Sequence, residues 1–231
     1  MKSRLALVTA VLALIFIVVL VVLVLPEGKS ADERLKEAII NNDKDGVKKA
    51  LNAGADSNLE INGYPSLVYA IRQLNERYKD ISIAQALVSA GADYTDPRVI
   101  TTAMKLCVNE SYLLDLETKF VPYIISLGAN VNTKIDGVND VFSFAVKHNL
   151  NYRILYAAVA AGCNVNINID GGEYLPLEYA IRTAKHNEIS TLIHLGCEVP
   201  QSIDGKTVKE YVLERYGADV AKSFYSSVFA L

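Results

Sequence analysis

The side chains able to do chemistry in this chain of 231 residues are few and poorly spaced for it. His148, His186 and His194 have no cysteine or carboxylate at metal-ligand separations. His194 stands on an apolar stretch two residues before a glycine, and it reads as an ordinary surface or core histidine. Cys107 has no nearby histidine to make it a nucleophile. Three cysteines cannot all pair, so Cys107, Cys163 and Cys197 form no disulfide framework. No glycine-rich phosphate loop, nucleophile elbow or spaced carboxylate pair occurs. Asp170-Gly171-Gly172 offers a loop for a ligand, but turn chemistry explains it. Asn109-Glu110-Ser111 is a glycosylation sequon that matters only in a eukaryotic secretory pathway. The chain reads as a non-enzyme with no cofactor, metal or small-molecule substrate.

The bulk properties narrow the classes further. A net charge of -3 and a pI near 5.7 argue against nucleic-acid binding, which needs many phosphate-neutralising cations. The hydrophobic fraction of 51% allows a sizeable core. Part of that fraction is one block, Leu5–Leu25, in which only Thr9 is polar. A helix of that length spans roughly 30 Å, the thickness of a bilayer core, and exceeds the usual secretory apolar region of about 7–15 residues. The block is therefore expected to be a transmembrane signal anchor. A long cleavable leader, with a poor cleavage box at Gly28-Lys29-Ser30, is the other reading. Lys2 and Arg4 before the block place the N-terminus in the cytoplasm and the rest of the chain outside it. In a bacterium that is the periplasm.

The elements that position the remaining residues are repeats. Gly54, Gly91, Gly128, Gly162 and Gly196 each follow an apolar pair and precede Ala or Cys and then an acidic or amide residue, at spacings of 37, 37, 34 and 34. Each apolar pair belongs to a core-packing helix, and each glycine ends that helix in a left-handed conformation that glycine adopts cheaply. Asn62-Gly63, Asp136-Gly137, Asp170-Gly171 and Asp204-Gly205 follow, each after an isoleucine, and such pairs favour two-residue hairpin turns. A second apolar helix comes next, marked by Ala70, Ala103, Ala145 and Ala180. The third unit, "DPRVITTA", lacks the Asx-Gly pair. The 37-residue units carry about four extra residues, expected in "QLNERYKDIS" (73–82) and "NESYLLDLETK" (109–119).

This pattern resembles the ankyrin repeat family, whose period is about 33 residues. "GYPSLVYA" (63–70), "YLPLEYA" (174–180), "GANVN" (128–132) and "GCNVN" (162–166) carry the resemblance, although the family histidine is replaced by Val68 and Glu178. The expected fold is an all-α repeat solenoid. Its helix-turn-helix units are joined by β-hairpin loops, with one N-terminal transmembrane helix. The expected organisation is a tail 1–4, an anchor 5–25, a linker 26–31 and an ankyrin repeat domain 32–231. Its units lie at 31–58, 59–95, 96–132, 133–166, 167–200 and 201–231. Gly217 falls too soon after Gly196 to open a unit, and is matched to the turn between the last two helices. Cys163 and Cys197 stand at the Ala position of adjacent units, about 10 Å apart. That is too far for a disulfide, so both are expected to be free.

The resemblance implies binding to another protein through hairpin tips and a concave face. Two residues after each helix alanine stand Arg72, Lys105, Lys147 and Arg182, a basic ladder on an otherwise acidic body. Such a ladder points to an acidic partner surface. Cations near helix C-termini also arise without any partner, through the helix dipole. The tips add Glu60, Tyr64, Lys134, Glu173, Tyr174 and Lys206 as contact candidates. The expected function is a membrane-tethered protein-binding module. Two alternatives are a dedicated inhibitor, such as an immunity protein against an envelope-acting toxin, and, ranked lowest, an enzyme on a repeat frame.

Overall fold

The computed structural model describes residues 28–222, and of residues 186 and 187 the backbone only. Its helices come in successive pairs that pack on each other. These are α1 (Ala31–Ile40) with α2 (Lys44–Asn52), α3 (Ser66–Arg72) with α4 (Ser82–Ser89), and α5 (Pro97–Asn109) with α6 (Val121–Leu127). They continue with α7 (Val141–His148) and α8 (Tyr152–Ala160), α9 (Pro176–Arg182) and α10 (His186–His194), and then α11 (Val208–Tyr216). First helices pack on first helices in the order α1, α3, α5, α7, α9, and second helices α2 on α4 and α6 on α8. The result is a two-layer stack in which each pair closes the core of its neighbour. The fold is ankyrin-repeat-like.

Side-chain size explains the close stacking. Ala103, Ala145 and Ala180 are fully buried and Ala70 nearly so. They lie one per first helix, where a larger group would push neighbouring helices apart. Leu35, Ile39, Leu67, Ile71, Leu87 and Ile100 fill the space between the layers, each stabilising the fold by about 1.5–3 kcal/mol. Polar caps fix where helices begin. Ser30 with Glu33 and Thr207 with Glu210 form capping boxes at α1 and α11. Asp43, Asp96, Asp140 and Asn151 accept backbone N–H groups at α2, α5, α7 and α8. Before α6 the helical turn widens over Leu116–Phe120. Pro122 follows it, and its ring crowds the carbonyl four residues back.

Gly54, Gly91, Gly128, Gly162 and Gly196 all have φ between 84 and 114°, so each repeat closes its second helix through a backbone conformation that side chains resist. The four Asx-Gly pairs differ from one another. Asn62-Gly63 makes a two-residue turn between β1 (Glu60–Ile61) and β2 (Tyr64–Pro65). Asp204-Gly205 does the same between the bridged Ile203 and Lys206. The other two loops are wider. The Ile135 N–H donates to the Asn139 carbonyl (2.8 Å) and the Ile169 N–H to the Tyr174 carbonyl (3.0 Å). Val138 is inserted in one loop and Gly172-Glu173 in the other, so a two-residue turn cannot close there. Ile61, Ile135, Ile169 and Ile203 are all buried and serve as packing residues.

The third unit is built differently. Between Gly91 and α5 there is no hairpin, and α5 starts six residues after its glycine. The delay elsewhere is twelve to fourteen residues, as from Gly54 to Ser66 or Gly162 to Pro176. Asp96 caps α5 and Pro97 sits in its first turn. The stretch that would form a hairpin is thus converted into helix. The longer loops between paired helices fall at 73–81 and 110–115.

The single-pass localisation expected from the apolar block is corrected here. Among the described residues no helix is long and apolar enough to cross a membrane, since none approaches the roughly 20 apolar residues a span requires. Residues 5–25, read from sequence as the anchor, lie outside the described residues. The cytoplasmic N-terminus and extracytoplasmic repeat domain have no support and are set aside.

Candidate functional site

The four ladder cations sit at one position of four stacked helices, on α3, α5, α7 and α9, two residues after each buried alanine. They are not equivalent. Arg182 is engaged most fully. Its guanidinium holds Asp204 through two nitrogens, at 2.8 and 3.1 Å. It donates to Glu178 on its own helix (2.8 Å) and lies 4.3 Å above the Tyr174 ring. The hydrogen bonds to Asp204, and then those to Glu178, raise the guanidinium above its ordinary pKa.

Lys147 is engaged in a similar way. Its ammonium lies 2.6 Å from Asp170 and 3.5 Å from Asp136. Asn139, only 1% exposed, ties the same two loops together. Its amide nitrogen donates to Asp136 (2.9 Å) and to Asp170 (2.7 Å), and its carbonyl accepts the Asp170 N–H (2.8 Å). Lys147 first and Asn139 next hold the Asp170 carboxyl below the usual range. Burial works against the charge of Asp136, yet the hydrogen bonds from Asn139 and Val138, together with Lys147, outweigh it and hold that carboxyl low as well.

In both cases the carboxylate comes from the loop of the following pair. The turn aspartate of one repeat reaches back to the helix cation of the repeat before it. Sequence reasoning treats Asp170 and Asp204 as turn residues only, and misses Asn139. The available signal is that the two aspartates stand 34 residues apart and the two cations they meet 35, each close to one repeat period.

Arg72 and Lys105 differ. Neither has a carboxylate partner among the described residues. Arg72 stacks 4.4 Å above Tyr64, as Arg182 does on Tyr174. Both cations are exposed and line one open depression together with Thr101, Thr102, Leu106 and Asn109.

The tip residues scatter by role. Tyr64 is half-buried under Arg72, whereas Tyr174 is 37% exposed. Glu60 and Glu173 face solvent. Lys134 reaches toward the buried Asp140 carboxylate at 4.0 Å, and Lys206 pairs with Glu214. Lys185, which the sequence did not single out, sends its ammonium back one pair to the carbonyls of Val146 (2.7 Å) and Lys147, capping the end of α7. The three cysteines are free and buried. Burial raises the Cys107 thiol strongly and pushes Cys163 to about 11 and Cys197 to about 12, so they stay protonated and inert at neutral pH. Among the described residues no group of His, Cys, Asp and Glu is arranged to hold a metal ion.

No protein-family model matches this chain, and no curated protein does. Among solved structures it is similar to the human ASB11 ankyrin repeat domain. The two are 19% identical, with 84% of this chain and 82% of the other covered and a TM-score of 0.47.

Proposed function

We propose that this chain is a protein-binding module that works through its hairpin tips and the first helices of its pairs. The carrying observation is positional. Arg72, Lys105, Lys147 and Arg182 stand at the same place on α3, α5, α7 and α9, which pack on one another in that order. A stacked row of long side chains on a repeat frame is a surface for an extended partner. Exposed Tyr174 and half-buried Tyr64 lie beside the row, and tyrosine supplies contact area with little loss of rotamer freedom. Binding is favoured over catalysis because the thiols are buried and the cations of α7 and α9 are already held by carboxylates. On this reading Glu60, Lys134, Glu173 and Lys206 are rim contacts worth little individually.

Photo-crosslinking in cells that make the full-length chain tests the proposal. A photoreactive phenylalanine replaces Tyr64 or Tyr174 on the tips, or Tyr152 on the second-helix layer. Adducts with another protein from 64 and 174 but not from 152 are expected. Adducts from 152 alone would place binding on the opposite layer and sink the proposal. A single stoichiometric adduct would indicate a dedicated inhibitor, and several would indicate a scaffold.

A further inference from the structure

The ladder contains its own account of what its two free members bind. On α7 and α9 the helix cation is met by an aspartate from the next loop, at 2.6 Å for Lys147 with Asp170 and 2.8 Å for Arg182 with Asp204. Arg72 shares its tyrosine neighbour with Arg182, although Val68 stands where Arg182 has Glu178 on its own helix. Each guanidinium lies over the ring of the tyrosine that follows its own turn, at 4.4 and 4.3 Å. What Arg72 lacks is the next hairpin, because residues 92–96 run straight into α5. Lys105 lacks a carboxylate partner among the described residues for another reason. Asp136 in the loop after it is taken up by Asn139, the Val138 N–H and Lys147. Two adjacent cations therefore face one depression with no carboxylate partner among the described residues, and Thr101, Thr102 and Asn109 around them supply hydrogen-bonding groups.

We infer that this depression receives an acidic side chain, Asp or Glu, of a partner polypeptide, in the place that the turn aspartate fills on α7 and α9. The inference rests on the protein-binding reading and narrows it. Lys147 and Arg182 are internal ties, and recognition of charge is concentrated at Arg72 and Lys105. Tyr64 lies under the Arg72 guanidinium at 4.4 Å, so less side-chain freedom is lost when a carboxylate docks. The surrounding body is acidic, so an acidic partner approaching elsewhere is repelled, and the free pair fixes its register.

The test uses the full-length chain and two capped Gly-Ser peptides. One carries a central Asp-Glu and the other Asn-Gln in the same place. Peptide binding is read from the Arg Nε–H and Lys Nζ resonances and from fluorescence anisotropy of labelled peptide. The Asp-Glu peptide is expected to shift Arg72 and Lys105 saturably while leaving Arg182 and Lys147 in place. The Asn-Gln peptide should bind roughly tenfold more weakly or not at all. Added salt should weaken the acidic peptide, and Arg72→Gln with Lys105→Gln should abolish its binding. Both residues are exposed, so the double variant should keep the wild-type melting temperature, which circular dichroism checks. Equal binding of the two peptides, or unchanged binding by the double variant, would overturn the inference. These readouts are independent of the wider reading. Crosslinks from 64 and 174 without acidic-peptide binding would remove this site and leave the module. Specific peptide binding without crosslinks from 64 and 174 would keep the site and remove the hairpin tips from the binding surface.

Discussion

At the scale of single residues, the most consequential side chain outside the ladder is Glu188. It is 8% exposed and both its carboxylate oxygens lack a hydrogen-bond partner among the described residues. Burial pushes its carboxyl from an ordinary 4.5 to about 7, more than the nearby Lys185 charge offsets, and burial lowers Lys185 in turn. The folded chain therefore holds a proton between those values that the unfolded chain has released, and its stability falls as pH rises from about 4.5 through about 7. Glu188→Gln is expected to raise stability at pH 8 by about 2 kcal/mol. At pH 5 the variant should match the wild type. Urea denaturation of both proteins across this range checks it, and parallel curves would refute it. His148, whose imidazolium is disfavoured by burial and then by Lys147 and Lys185, cancels in that comparison. None of this was legible in the sequence. Burial of a carboxylate is a fact of tertiary packing. The ladder was legible as a repeated position. Its division into tied and free cations was not, because that depends on which loop carboxylate reaches back across a pair boundary.

At the scale of elements, the turn between paired helices shows how far local chemistry can be read. The short connections each place one residue in the left-handed region, namely Asn42 (φ 52°), Asn149 (φ 56°) and Ala184 (φ 60°). Asparagine tolerates that region and alanine does not. Ala184→Gly is expected to stabilise the chain by about 0.5–1 kcal/mol, seen as a higher urea midpoint with unchanged slope. A lower midpoint would mean that the Ala184 methyl contributes packing that outweighs the strain. Hairpins were readable wherever Asx-Gly stood alone, as at 62–63 and 204–205. They were misread where extra residues widened the loop, as at 136–139 and 169–174. In the third unit the Asp96-Pro97 cap and first-turn proline signalled an early helix start. The periodic alignment on Ala103 hid it, because the register of a repeat says where its core residues lie and not how many turns precede them.

For the whole molecule, the period of the glycines gave the stacked architecture, because each glycine is demanded by backbone geometry and is hard to replace. In such a stack each pair touches only its neighbours, and stability is close to a sum of local terms. Leu192 on α10 is fully buried, and Leu192→Ala should cost about 2–5 kcal/mol. That loss is expected to fall on the end of the stack. In hydrogen exchange, amides of α9–α11 should lose protection while those of α3 and α5 keep it. Uniform loss along the chain would show a single cooperative unit instead. The backward reach of the turn aspartates carries a rule for how such chains diversify. The charge exposed by one repeat is written in the loop of the repeat that follows it. Loss, duplication or shuffling of a unit therefore changes which cation its upstream neighbour leaves exposed, while that neighbour's own sequence stays unchanged. Grafting an Asp-Gly hairpin onto the start of the third unit would silence Arg72, and the acidic peptide would no longer move its resonance.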